Sequence, residues 1–135
     1  RHYYPRHDYE GIPASAGEEI MATLTAQLPV LTGQTLAGRI VQTTDDFAYT
    51  DPIDGSISSH QGLRLLFSDG ARLVFRLSGT GTEGATLRIY HEHLEQDAAR
   101  QQLDPQRVLR ELIALGKDLT RIEKLTGRKA PTVIT

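Results

Sequence analysis

The chain has 135 residues, of which 39% are hydrophobic and 24% charged, a composition typical of one soluble globular domain with a packed core. Its formal net charge of −2 disfavours a general nucleic-acid binder, since such proteins are usually basic. There is no cysteine, which excludes disulfides and thiolate-bound metals, and no apolar run approaches the ~18 residues of a membrane span.

The first segment, residues 1–14, is aromatic and charged and is interrupted by prolines and a glycine. Its apolar residues follow neither a helical nor a strand period, so we predict an arm or linker from a preceding domain. One domain then covers residues 15–135. Because the chain begins with Arg1 rather than methionine, we expect it to be part of a longer protein.

The first predicted helix covers about residues 16–28. Ser15 and Glu18 have the spacing of a capping box, in which each side chain satisfies a free backbone N–H of the first turn. Pro29 is predicted to end the helix. One face of this helix carries the apolar residues Ile20, Met21, Leu24 and Leu28.

Two short mixed segments, residues 34–41 and 47–49, are predicted to be strands. Residues 51–56, with the sequence DPIDGS, are dense in turn-forming residues and are predicted to be a loop.

A hairpin is predicted more clearly. Apolar residues alternate over 63–67 and again over 73–77, on either side of the turn dipeptide at Asp69 and Gly70. Residues 86–90 alternate in the same way and are predicted to form the next strand.

The last predicted helix begins with Asp104 as its cap and Pro105 at its first position, a favoured pair. Gly127 ends it, and residues 130–135 are predicted to be a tail. An apolar stripe is formed by Val108, Leu112, Leu115, Leu119 and Ile122. Together these elements predict an α+β fold, a mainly antiparallel sheet with helices packed on one face.

A glycine-rich loop separates two of the predicted strands. Residues 76–90 read RLSGTGTEGATLRIY, and the glycines match G-x-G-x-x-G. A dinucleotide-binding loop needs a helix directly after the glycines, whereas a strand follows here, so we reject that interpretation. A P-loop is excluded as well, because no Gly-Lys-Ser/Thr follows.

Two interpretations of this loop remain. It is either a plain strand connection, in which glycine and threonine are common, or an anion cradle. In a cradle, the glycines let backbone N–H groups converge and Ser78, Thr80 and Thr82 add hydroxyl donors. Arg76 and Arg88 frame the loop, and their forks suit phosphate oxygens. The residues alone therefore indicate a phosphate-binding loop of unknown ligand.

Residues 76–90 also resemble the phosphate-binding loop of the phosphoglucomutase family, in the α-D-phosphohexomutase superfamily. Residues 6–10, 51–56, 61–64, 126–128 and 130–135 are similar to that family in the same order. The resemblance covers nearly the whole chain, including its ending, so we expect Thr135 to be the natural C-terminus.

The resemblance implies the function of one domain among four. Phosphoglucomutases interconvert glucose 1-phosphate and glucose 6-phosphate in the cytoplasm, with Mg²⁺ and glucose 1,6-bisphosphate. The resemblance gives the phosphoserine, the metal aspartates and the sugar-binding loop to the three upstream domains. This chain would be the C-terminal domain, with a TATA-binding-protein-like fold, which closes over the active site and holds the substrate phosphate. It lacks the family's nucleophilic-serine, metal and sugar motifs, so we expect this chain alone to have no mutase activity and to bind no metal.

The resemblance also implies the site residues. The substrate-phosphate contacts fall on Arg76, Ser78, Gly79, Thr80 and Arg88, and the same loop contains Thr82 and Gly84. No catalytic residue and no metal ligand is expected in this chain.

Some alternatives stay open at this point. His91 and His93 have H-x-H spacing, but without a third ligand a solvated strand end is the simpler interpretation. A stand-alone anion-binding or nucleic-acid-binding module without catalysis is the alternative function. The acidic balance of the chain and the lack of exposed aromatic residues on the predicted strands weigh against it. A relative that uses mannose or aminosugar phosphates is a third possibility.

Overall fold

The computed structural model describes residues 2–50, 57–79, 84–94, 104, 106 and 109–135. It has an α+β fold with an antiparallel sheet, as predicted. The strands are β1 (His2–Tyr3), β2 (Arg6–Ile12), β3 (Thr35–Leu36), β4 (Arg39–Thr50), β5 (Ile57–Phe67), β6 (Arg72–Ser78), β7 (Ala85–Leu94) and β8 (Val133–Ile134). The helices with bounds inside the described residues are α1 (Ala14–Leu31), α2 (Arg110–Thr120) and α3 (Ile122–Thr126).

The strands form one sheet in the order β3-β4-β5-β6-β7-β2-β8, and β1 pairs with β7 beyond the end of β2. Every pairing among the described strands is antiparallel. Strand β1 therefore lies beside β7, which is the strand that follows the glycine-rich loop. No helix in the part of the chain that the structure describes is long and apolar enough to span a membrane.

The predicted hairpin is confirmed. Leu63 pairs with Phe75 and Leu65 with Leu73, in the register that the alternation requires. The Asp69 side chain accepts a hydrogen bond from the Ala71 N–H at 3.0 Å, which is the turn chemistry expected of an aspartate there.

The core lies between one face of the sheet and the helices. On that face, β5, β6 and β7 bury Leu63, Leu65, Phe67, Leu73, Phe75, Leu77, Leu87 and Ile89. Helix α1 covers them with Ile20, Met21, Leu24, Leu28 and Leu31. The intervening residues of the same strands point to the opposite face, which carries arginines and hydroxyl groups.

Residues 1–14, whose sequence shows no strand period, contain the strands β1 and β2. Strand β2 lies inside the sheet, with β7 on one side and β8 on the other, and Tyr9 and Ile12 are fully buried. Its period is hidden because polar residues, His7 and Asp8, occupy buried positions. The predicted C-terminal tail likewise contains β8. The domain boundary at residue 15 stays a prediction.

Helix α1 differs from its prediction at both ends. It begins at Ala14 after an N-cap at Pro13 and has no side-chain cap, so Ser15 and Glu18 do not form a capping box. It also continues through Pro29 to Leu31. Burial of Leu28 and Leu31 in the last turn offsets the backbone hydrogen bond that the proline removes.

The predicted C-terminal helix is interrupted. Arg121, with φ of 56°, separates α2 from α3. The Asp104 side chain does accept a hydrogen bond from the Gln106 N–H at 2.8 Å, as a cap would, while Pro105 and Val108 lie outside the described residues.

The buried face of α2 also differs from the predicted stripe. It contains Leu112, Gly116 and Thr120, whereas Leu115 and Leu119 are only partly buried. A Cβ at Gly116 would lie 3.1 Å from a methyl carbon of Ile89, so the glycine allows the helix to approach the sheet closely. A pattern of large apolar residues cannot predict a contact made by a glycine.

Candidate functional site

Five of the residues predicted to hold a phosphate are described, and they lie on β6, on β7 or directly beside these strands. The side chains of Arg76, Ser78 and Arg88 are on the sheet face opposite the helices. Arg76 pairs directly with Arg88, and Ser78 pairs with Thr86, so these side chains share one short section of the sheet. Gly79 and Gly84 continue from the two strand ends into the loop. The predicted contacts Thr80 and Thr82 lie outside the described residues.

Both described glycines of the loop have a positive φ, 79° at Gly79 and 85° at Gly84, which favours glycine. A Cβ on Gly84 would lie 2.7 Å from the carbonyl oxygen of Ile12, and a Cβ on Gly79 would lie 3.3 Å from the carbonyl oxygen of Gly84. The base of the loop is therefore narrow, and it lies against the end of β2.

The two arginines contact hydroxyl groups in different places, Arg88 beside the loop and Arg76 farther from it along β7. Arg88 Nη1 donates to Ser78 Oγ at 3.3 Å, and Arg76 Nη1 donates to the Tyr90 hydroxyl at 3.4 Å. Like charges on directly paired residues of adjacent strands are unfavourable by a few tenths of a kcal/mol to ~1 kcal/mol. An anion placed between the two guanidinium groups would relieve this repulsion.

The same face contains further ion pairs, one between β4 and β5 and one between β6 and β7 farther from the loop. Arg64 donates to both carboxylate oxygens of Asp45 at 2.9 Å. Arg72 donates to Glu92. Burial raises the pKa of Glu92, but the hydrogen bonds and charges of Arg72 and His2 outweigh it and hold that pKa below its usual value.

Asp8 is a buried carboxylate that sequence reasoning did not select. It lies directly opposite Arg88 in the strand register and is only 4% exposed. Arg6 donates to both of its oxygens, at 2.9 and 3.1 Å, and Arg88 Nε lies 3.6 Å from Oδ2. Its place within a segment similar to the family, residues 6–10, was the signal available in the sequence.

An aromatic group borders the site on its other side. Gly62 on β5 pairs with Arg76 on β6. Phe47 on β4 pairs with Gly62, and its ring lies over that glycine. A Cβ on Gly62 would lie only 2.3 Å from that ring, so the glycine makes room for it. The Arg64 guanidinium carbon is 4.7 Å from the ring centroid, a cation–π distance.

Of the two histidines predicted to form a solvated strand end, His91 is buried. His91 is 1% exposed, and its ring lies 4.8 Å from the ring of His7, between centroids. Burial lowers the pKa of His91 to about 4, although its Nδ1 lies 3.0 Å from the Pro5 carbonyl oxygen. Among the described residues, no group of at least three His, Asp or Glu side chains could hold a metal ion.

A family model described as phosphoglucomutase-1, C-terminal domain, matches residues 1–132. The chain belongs to this family. A cytoplasmic phosphoglucomutase from Populus tremula is 49% identical over 143 residues, which include 100% of this chain and 24% of that protein. A phosphoglucomutase from Rhizobium radiobacter is 47% identical over 135 residues, with 100% of this chain and 25% of that protein covered.

A solved structure agrees with the family. The open form of pp63/parafusin from Paramecium, described as a phosphoglucomutase, has a TM-score of 0.78 and 41% identity, and the match covers 100% of this chain and 23% of that one. The chain thus spans about a quarter of the relatives' length. The match confirms the resemblance and the fold class predicted from the sequence, and it does not support a stand-alone module. The individual phosphate contacts stay predictions.

Proposed function

We propose that this C-terminal domain binds the phosphate group of a phosphorylated sugar at the ends of β6 and β7. The observation that carries the proposal is the direct pairing of Arg76 with Arg88 at the base of a loop narrowed by Gly79 and Gly84. Two guanidinium forks, the Ser78 hydroxyl and the loop's backbone N–H groups together suit a tetrahedral dianion.

The proposed role in the reaction is to position the substrate. In the interconversion of glucose 1-phosphate and glucose 6-phosphate, one phosphate end reacts while the other stays bound. Arginines fixed on paired strands provide binding energy at the non-reacting end, and this energy orients the reacting end. Closure of the domain over the active site would exclude water, so that the phosphoryl group passes to the sugar.

The remaining parts of the activity belong to the rest of the protein. We propose three upstream domains as partners within the same chain, and Mg²⁺ and glucose 1,6-bisphosphate as cofactors of the whole enzyme. The described residues do not fit a Mg²⁺ site, so the metal has no part in the chemistry proposed for this domain.

Relatives from Populus tremula and Arabidopsis thaliana are named cytoplasmic, and we propose that location here. Neither nucleic acid nor membrane is a proposed partner, and this domain alone should be inactive.

An amide chemical-shift titration with glucose 6-phosphate tests the proposal, with glucose as the control ligand. One phosphate bound outside a closed cleft suggests a millimolar Kd, about −4 kcal/mol. We expect saturable shifts at Ser78, Gly79 and Gly84 with the phosphosugar alone.

Two variants make this titration specific. Arg88→Ala should abolish the shifts, whereas Arg72→Ala should retain them, because Arg72 lies on the same face but pairs with Glu92 away from the loop. Equal loss in both variants would mean that the whole positive face, and not the loop, attracts the anion. No saturable shifts in the wild-type chain would contradict the proposal.

A further inference from the structure

We infer that Asp8 is a positioning residue that orients Arg88 toward the bound phosphate, an inference that rests on the proposed function. Asp8 lies on β2 and faces Arg88 directly across the strand pair. A carboxylate that is only 4% exposed must be paired, because burying an unpaired charge is strongly unfavourable. Its partners therefore indicate its role.

The first partner, Arg6, fixes the carboxylate. Arg6 Nε donates to Oδ1 at 2.9 Å and Nη2 donates to Oδ2 at 3.1 Å. This parallel arrangement of two bonds defines the plane of the carboxylate as well as its position. Asp8 can then act as a rigid support for a second cation.

The second partner, Arg88, uses the two edges of its guanidinium group differently. Its Nε lies 3.6 Å from Asp8 Oδ2, while its Nη1 donates to Ser78 Oγ at 3.3 Å. Nε therefore faces Asp8, and Nη1 faces Ser78 at the base of the loop. An arginine held at Nε can offer its Nη groups to a phosphate without losing its orientation.

The Nε contact is incomplete in this structure. Arg88 Nε is buried, and among the described residues it has no hydrogen-bond partner, since 3.6 Å is too long for one. A shift of about half an ångström toward Asp8 would form a charge-assisted hydrogen bond. We expect this bond to form when a phosphate fixes the Nη groups.

The charge of Asp8 alone predicts the opposite effect on binding. A carboxylate beside Arg88 lowers the positive potential at the loop, so its removal should strengthen the attraction of a phosphate dianion. A positioning role predicts that its removal weakens binding, because Arg88 then has no fixed orientation. The direction of the change in affinity therefore separates positioning from simple charge compensation.

The experiment compares Asp8→Asn with the wild-type chain in the glucose 6-phosphate titration at one ionic strength. Asp45→Asn is the matched control, because Asp45 also pairs bidentately with an arginine on this face, but on β4, which β5 and β6 separate from β7. We expect Asp8→Asn to raise Kd about fivefold or more, in the range typical of coupled neighbours. Asp45→Asn should leave Kd unchanged or slightly lower.

The Nε–H resonance of Arg88 is the second readout, and it needs no variant. In the wild-type chain, saturation with glucose 6-phosphate should move this resonance to lower field as the hydrogen bond to Asp8 forms. A resonance that stays in place while the loop amides shift would overturn the inference even if Asp8→Asn fails to fold.

The outcomes distinguish the inference from the proposed function. Wild-type binding with an unchanged or lower Kd in Asp8→Asn would overturn the positioning role and leave the phosphate site standing. A raised Kd in Asp8→Asn alone, with the Nε–H shift, would support both. An absence of saturable binding in the wild-type chain would overturn both.

Discussion

Substitution of Gly84 by alanine tests whether β2 sets the shape of the loop. The position has two separate reasons to be glycine. Its φ of 85° is unfavourable for a residue with a Cβ, and that Cβ would lie 2.7 Å from the Ile12 carbonyl oxygen. The first reason is local to the residue, whereas the second depends on the approach of β2 to the loop.

The structure offers a control that separates these two contributions. Gly33 has a similar φ of 89°, but a Cβ there would have nothing within 4 Å. Gly33→Ala should therefore show the conformational cost alone, about 1–2 kcal/mol. Gly84→Ala should show the same cost plus that of the backbone contact, which overpacking data place at about 1–3 kcal/mol.

Urea unfolding of both variants gives the comparison, with the free energy of unfolding extrapolated to water. We expect Gly84→Ala to lose about 2–5 kcal/mol in total, clearly more than Gly33→Ala. The contact is with backbone, so it cannot be relieved by rotation of a side chain. Equal losses in the two variants, within about 0.5 kcal/mol, would refute the argument that β2 limits the space at the loop.

Two further predictions concern stability. Burial lowers the pKa of His91 in the folded state from 6.5 to about 4. Between pH 6.5 and pH 4 the unfolded chain therefore binds a proton at His91 that the folded chain does not bind. The free energy of unfolding should fall as the pH falls through this range. The full loss is on the order of 3 kcal/mol, and His91→Gln should flatten the pH dependence of the unfolding free energy; an unchanged slope would contradict this. Gly62→Ala places a methyl group against the Phe47 ring and should destabilise by about 1–3 kcal/mol. Phe47→Leu in the same chain should recover most of that loss, and simple additivity in the double-mutant cycle would count against the contact.

The hairpin and β7 could be predicted from the sequence because one face of these strands is buried and the other is not. That difference produces strict alternation, and the alternation also placed Arg76 and Arg88 on the face away from the core. The residue types of the loop indicated an anion site, and the resemblance supplied the ligand. The fold class followed from the same local patterns.

Other elements could not be predicted because their burial does not follow hydrophobicity. In β2, the polar residues His7 and Asp8 occupy buried positions, where hydrogen bonds and ion pairs satisfy their side chains. The strand therefore has no apolar period. In α2, Gly116 forms the contact with the sheet. The left-handed conformation of Arg121, which divides the last helix, has no marker in the sequence.

The arrangement of the site depends on β2 as much as on the loop itself. This strand contacts the site twice, through the Ile12 carbonyl beside Gly84 and through the Asp8 carboxylate beside Arg88. Both contacts join residues near the chain start to residues far along the sequence, so local patterns carry no information about them. The sequence could therefore name residues for a phosphate site, whereas the spacing of Arg76 and Arg88 follows from the pairing of β6 with β7. The orientation that we infer for Arg88 depends in addition on the pairing of β2 with β7.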